Sequence, residues 1–119
     1  MLVIEVVKIE GECPVHNVGD KIVMDGPKID LKRTDNVCIH ALSSILHYVV
    51  ALREGVDPRK LGLSKDSRYA YIQCLDPGEP YTDGGTVVFR CLRGKDRKEC
   101  VKRNEKATER IVEVSKEGI

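Results

Sequence analysis

Apolar residues sit on both sides of the opening stretch MLVIEVVKIE, with Val3, Val7 and Ile9 on one side and Ile4 and Val6 on the other. That pattern predicts a strand covered on both faces over most of its length. GECPVHNVGD follows with Gly, Pro, Asn and a Gly-Asp pair, and KIVMDGP resumes as a second strand closed by Asp25, Gly26 and Pro27. The two predict an antiparallel meander. KIDLKRTDN is polar and reads as a connection in which Asp35 or Asn36 caps a helix.

In VCIHALSSILHYVVALREG the period changes from two to that of a helix. Cys38, Leu42, Ile45, Leu46, Val49 and Leu52 fall within a stripe of about 120°, and Gly55 supplies the stop. This is the expected core helix, with Cys38 as its second or third residue. His40, Ser43, Ser44 and His47 lie on the opposite side, away from Cys38. VDPRKLGLSKDS reads as a loop or short turn opened by Asp57 and Pro58. RYAYIQC alternates as a strand, LDPGEPYTDGG is a turn-rich connection, and TVVFRCLR is the last strand, with Val87, Phe89 and Cys91 on one core face. The expected order is strand, strand, helix, strand, strand. It predicts an α+β domain over residues 1–92, a small mostly antiparallel sheet of about four strands packed on one helix.

Residues 93–119 change character, with 9 basic and 6 acidic side chains in a run of strong helix propensity. Cys100, Asn104, Ala107, Ile111 and Val114 recur at spacings of four, three, four and three, which predicts a C-terminal amphipathic helix. Its narrow stripe suits packing on its own domain or pairing with a second copy, and Asn104 in the seam suits register selection in a homodimer.

Composition narrows the function classes. A chain of 119 residues is one domain's worth. Its 20 Lys and Arg nearly cancel 19 Asp and Glu, so no basic field points to nucleic acid or to an anionic membrane. No apolar run approaches the ~20 residues of a membrane span, and MLVIEVV is followed by Lys8 and Glu10 rather than by a cleavage site. The chain reads as cytoplasmic. High charge without Trp resembles heat-tolerant proteins, although five cysteines run against that trend. An odd number of cysteines without a secretion signal leaves at least one thiol free or metal-bound.

Cys13 and His16 share a loop, and thiolate with imidazole is a pairing that zinc accepts. Cys-x-x-His is half of a zinc signature, and the candidates for the other half are Cys38 and Cys74. All three cysteines lie where elements begin or end, so a three-cysteine, one-histidine cluster forms if those ends meet at one edge of the sheet. Closed tetrahedral coordination would make it a structural zinc site, whereas an iron–sulfur cluster would use the same thiolates with His16 as fourth ligand. Cys38 also meets the positive end of the helix, which favours a thiolate and gives a second reading, thiol redox chemistry centred on Cys38. Packing alone is a third, with Cys91 a core residue and Cys100 a seam residue. His40 and His47 are too far apart for a zinc-enzyme pair. Asp76, Glu79 and Asp83 lack calcium-loop spacing. Nothing reads as a hydrolase triad or a nucleotide site, which points away from an enzyme.

The combination of GECPVHNVGDKIVMDG, VCIHALSSILHYVVALREG, YIQCLDP and TVVFRC resembles a family of short uncharacterised proteins of anaerobic bacteria and archaea, built of one such unit and sometimes of tandem copies. The resemblance covers residues 1 to 92. It rests on the Cys13 loop leading into Val18-Gly19-Asp20, the cysteine at the helix start, the helix ending in ALREG, and the Cys-x-Asp-Pro turn from Cys74 to Pro77. Members of that family often have Cys-Pro where this chain has Cys38-Ile39. The resemblance implies a cysteine-centred site in an anaerobe and names no reaction. The expectation is therefore a metal- or iron–sulfur-binding domain using Cys13, His16, Cys38 and Cys74. Thiol redox chemistry and dimerisation through the terminal helix are the alternatives.

Overall fold

The structure, a computed structural model, describes residues 1–94. The C-terminal helix read from the sequence, and any dimer made through it, lie outside the described residues. Among the described residues, five strands and one helix form in the order β1 (Leu2–Glu10), β2 (Lys21–Asp25), β3 (Lys28–Ile29), α1 (Ile39–Arg53), β4 (Tyr69–Gln73) and β5 (Thr86–Arg93). The sheet runs β3-β2-β1-β5-β4 with every neighbouring pair antiparallel. The α+β class and the antiparallel sheet stand as expected, but the strands number five rather than four, and the first and last long strands pair at the centre. The extra strand, β3, pairs Met24 with Ile29 and Asp25 with Lys28. Two residues carry no periodicity of their own, so only this long-range pairing defines it.

One sheet face is the core. Ile4, Cys91 and Ala70 lie in one cross-strand row and Val6, Phe89 and Ile72 in the next, all buried. Each fully buried large apolar side chain contributes about 1.5–3 kcal/mol relative to the exposed state. The other face carries Val3 and Glu5, half-buried among Val23, Leu92, Lys21 and Arg90. The first strand is thus covered by a second layer on one face only. A bulge between Val6 and Lys8 shifts the register, so that Ile9 pairs with Val87 and packs on the core, instead of continuing the side of Val3. The Gly19 N–H donates to the Val6 carbonyl and the Val6 N–H to the Asp20 carbonyl, both at 2.9 Å, which hooks the following loop onto this bulge.

Helix α1 buries Ala41, Ile45, Val49 and Leu52. Leu46, expected in the buried stripe, is 53% exposed. The helix starts later than its expected cap: Cys38 is the N-cap residue, and its carbonyl accepts the Leu42 N–H at 2.8 Å. Asp35 is used elsewhere. Its carboxylate accepts the Lys21 N–H and its own N–H reaches the Lys21 carbonyl, so it tethers the connection to the outer edge of β2. Ser43, Ser44, His47 and Tyr48 border one groove with Tyr71, Ile72 and Gln73, while Leu52 borders another with Ala70 and Leu2. The helix therefore runs antiparallel to β4, with its N-terminus over the end from which Cys74 leaves the sheet.

Candidate functional site

That topology gathers three segments at one end of the sheet. β1 ends there at Glu10, β5 begins there at Thr86, and β4 leaves there at Gln73. Cys13 follows β1, Cys74 follows β4, and Cys38 opens α1 above them. Gly85 is the shared neighbour. Its carbonyl lies 3.8 Å from Cys74 Sγ, while a Cβ at Gly85 would stand 2.8 Å from both the Glu10 carbonyl oxygen and the Glu12 nitrogen. Only glycine fits so close an approach of two backbones. On the helix side, Asn36 Nδ2 donates to the Val15 carbonyl at 3.3 Å, which ties the lead-in of Cys38 to the Cys13–His16 loop. Cys13, Cys38 and Cys74 all pack against the one hydrophobic core.

Cys13 is half-buried, and its sulfur accepts the backbone N–H of His16 at 3.3 Å. The bond closes the Cys-Pro-Val-His turn and turns the imidazole inward. His16 is 3% exposed and meets the Phe89 ring edge-on. Neither Nδ1 nor Nε2 has a hydrogen-bond partner. An imidazole always presents at least one N–H, so this arrangement leaves a buried donor and a buried acceptor unpaired, each costing about 1–3 kcal/mol. Burial lowers the His16 pKa, and the Asp20 carboxylate partly opposes that shift. The ring is held neutral, the form that ligates metals.

Cys74 is buried at the far side of the same end. Its sulfur accepts the Val87 N–H at 3.3 Å and faces the carbonyls of Gly85 and Asp76. The turn that follows is organised by Asp76, whose carboxylate accepts the Thr82 hydroxyl and the Gly78 N–H. The Thr86 hydroxyl donates to the Asp76 carbonyl at 2.8 Å. These bonds hold the Asp76 carboxyl below its usual range, Thr82 contributing most, then Gly78, with His40 on α1 adding a smaller charge effect. Sequence reasoning tested Asp76 only as a calcium ligand and missed this structural role. The Asp-Pro-Gly order, a turn signal with a side-chain acceptor at its head, carried the information. Glu79 and Asp83 are exposed and stay outside the turn's hydrogen bonds.

Cys38 is half-buried at the N-cap and makes no side-chain cap bond. His40 and His47 are exposed on α1, as their position on the wheel predicts, with His47 edge-on to Tyr48. Cys91 is 2% exposed inside the sheet, where burial pushes its thiol up to about 12. All four described cysteines are free thiols. Of the four residues read as ligands, Cys13 and His16 are in direct contact, and Cys38 and Cys74 stand at the same end of the sheet. Among the described residues, no three His, Cys, Asp or Glu side chains converge closely enough to hold a metal ion. Among them, too, no helix is long and apolar enough to cross a membrane. The chain matches no family model, no curated protein and no solved structure.

Proposed function

We propose that this domain binds a thiophilic metal, zinc or the iron of an iron–sulfur cluster, at the end of the sheet that carries Cys13, His16, Cys38 and Cys74. The observation that carries the reading is His16, a neutral imidazole sealed against Phe89 with both nitrogens unpartnered, beside a thiol in the same turn. A metal bond to one nitrogen would remove part of that deficit. The N–H bonds to the sulfurs of Cys13 and Cys74 add support, because backbone donors of this kind stabilise thiolate ligands and tune iron–sulfur centres. Cys13 and His16 supply the first two ligands, and Cys38 and Cys74, carried to the same end of the sheet, supply the others. A bound metal would act as a staple between the loop, α1 and the β4–β5 turn.

Elemental analysis of the full chain purified without oxygen tests this, alongside Cys13→Ser and His16→Ala. The reading predicts one zinc, or iron with matching sulfide, per chain, and loss of most of it in both variants. Metal well below one equivalent in the unsubstituted chain after reconstitution would overturn it. A second reading, thiol redox chemistry, has one observation in its favour. Cys38 is half-exposed at the positive end of α1 with its sulfur free of any cap bond, a setting suited to a nucleophile. It predicts that Cys38 is alkylated faster than any other described cysteine.

A further inference from the structure

Among the described residues, the sheet carries a second layer on its core face only. The connections pack on that same side, since Cys13, Val37, Leu61 and Leu63 all join the core. On the other face two cross-strand rows stand side by side. One reads Val23, Val3, Leu92, Tyr69 across β2, β1, β5 and β4, and the next reads Lys21, Glu5, Arg90, Tyr71. The first row is apolar apart from its phenol oxygen, and Leu92 within it is 38% exposed. In the second, Arg90 bonds Glu5 at 3.2 Å while its guanidinium lies 4.9 Å from the centre of the Tyr69 ring, so charges of opposite sign are held in fixed places. One face of an antiparallel sheet is commonly solvated, and it is then polar. An apolar row across the two central strands marks a contact surface instead.

We propose that a second copy of this chain covers this face, giving a two-fold β-sandwich whose sheets stack about 10 Å apart. The rows dictate the axis. Of the four longer strands β1 and β5 are the middle pair. A two-fold running between them, parallel to the strands, exchanges β1 with β5 and β2 with β4 and keeps each row opposite itself. Val3 then meets the partner's Leu92, and Val23 the partner's Tyr69. Glu5 meets the partner's Arg90, and Lys21 meets the partner's Tyr71, a cation against an aromatic ring. Every charge in the row finds a complement. A two-fold laid across the strands would set each charge against its own copy or against the apolar row. Because Glu5 and Arg90 are already paired within one chain, their contact across the axis fixes register more than it adds affinity. Affinity comes from the apolar row. β1, β2, β4 and β5 present roughly 450 Å² of flat sheet. Side-chain relief brings this near the ~600 Å² per partner that the smaller stable interfaces bury.

Sedimentation velocity on the full chain, run as a dilution series, tests the proposal. The unsubstituted protein should associate to twice the mass of one chain with a Kd below about 10 μM. Glu5→Arg and Arg90→Glu each set like charges across the axis and should weaken association roughly tenfold or more. An equimolar mixture of the two variants restores opposite charges across the axis but not within either chain, so it should recover a dimer that neither forms alone. Leu92→Lys breaks no ion pair and should give a monomer with an unchanged circular dichroism spectrum, which decides the matter if a charge variant fails to fold. A monomer mass for the unsubstituted chain up to about 100 μM would overturn the proposal. So would a dimer that Leu92→Lys leaves intact, which would assign association to another surface, or a mixture of folded charge variants that stays monomeric.

Discussion

The His16 imidazole stands edge-on to the ring of Phe89, with 5.2 Å between centroids and planes at 88°. Phe89 lies in the central row of the sheet between Val6 and Ile72, so this contact carries the Cys13–His16 loop into the core. The loop is anchored at its far end by the bulge at Val6 and at its near end by Gly11 and Gly85. A residue of a surface turn has thus become a core side chain, and its titration is coupled to folding.

The first prediction concerns pH. His16 has a folded-state pKa below 6.5, because burial disfavours the imidazolium more than Asp20 favours it. The unfolded chain therefore binds the proton more readily. The neutral ring's contribution is fully present above 6.5 and is lost as pH falls below that value, with a slope of up to about 1.4 kcal/mol per pH unit. Urea midpoints of the metal-free chain should drop from pH 7 to pH 5, and His16→Phe should flatten that drop. A His16→Phe curve as steep as that of the unsubstituted chain would show that another group titrates.

Much of the architecture is legible in the chain because its period changes cleanly. Alternation puts Ala70 and Ile72 on one face of RYAYIQC and Val87, Phe89 and Cys91 on the core face of TVVFRCLR, and all five are buried. The failures have definite causes. Asp35 has the chemistry of a helix cap, yet a long-range bond to Lys21 takes its carboxylate. Leu46 fits the apolar stripe, yet the apolar arc of α1, which also takes in Ile39 and Val50, is wider than the face that Ala41, Ile45, Val49 and Leu52 bury, so periodicity cannot choose its edge. The gathering of Cys13, Cys38 and Cys74 at one end follows from the central β1–β5 pairing, a contact between the two ends of the domain that no local pattern encodes. The burial of His16 is equally non-local, since it depends on where the loop is hooked.

Gly85→Ala tests how tightly that end is built. Its new methyl would meet backbone atoms of Glu10 and Glu12 at 2.8 to 2.9 Å, and backbone of this kind cannot swing aside. Overpacking costs about 1–3 kcal/mol, and a forced backbone shift here should reach the top of that range. Chemical denaturation of Gly85→Ala should show the loss. Gly62→Ala is the comparison, since nothing lies within 4 Å of its new methyl and the cost there comes from its positive φ alone.

Thiol reactivity should separate the cysteines by burial. Cys91 lies between Ile4 and Ala70 with its pKa raised to about 12, so at pH 8 almost none of it is thiolate. Cys13 and Cys38 are half-exposed. Mass-resolved alkylation of the native metal-free chain should label Cys13 and Cys38 first, with Cys91 modified only as fast as the protein unfolds. Early labelling of Cys91 would mean that the β4–β5 half of the sheet opens locally.

The Asp76 turn makes the last prediction, because it positions both carbonyls that face Cys74 Sγ. Asp76 accepts the Thr82 hydroxyl and the Gly78 N–H as a carboxylate, and those bonds hold its pKa below the usual value. A depressed carboxyl contributes stability above its unfolded-state pKa and loses it as pH falls through the folded one. Asp76→Asn keeps the shape but accepts these bonds more weakly. The urea midpoint should therefore fall at pH 7, and the gap to the unsubstituted chain should close toward pH 3. Thr82→Val removes the main donor and should reproduce part of the loss. If the turn also fixes the sulfur, alkylation of Cys74 should accelerate in both variants while that of Cys91 stays slow. A midpoint loss with Cys74 still protected would assign Asp76 to the turn alone and leave the Val87 N–H as what holds the thiol in place.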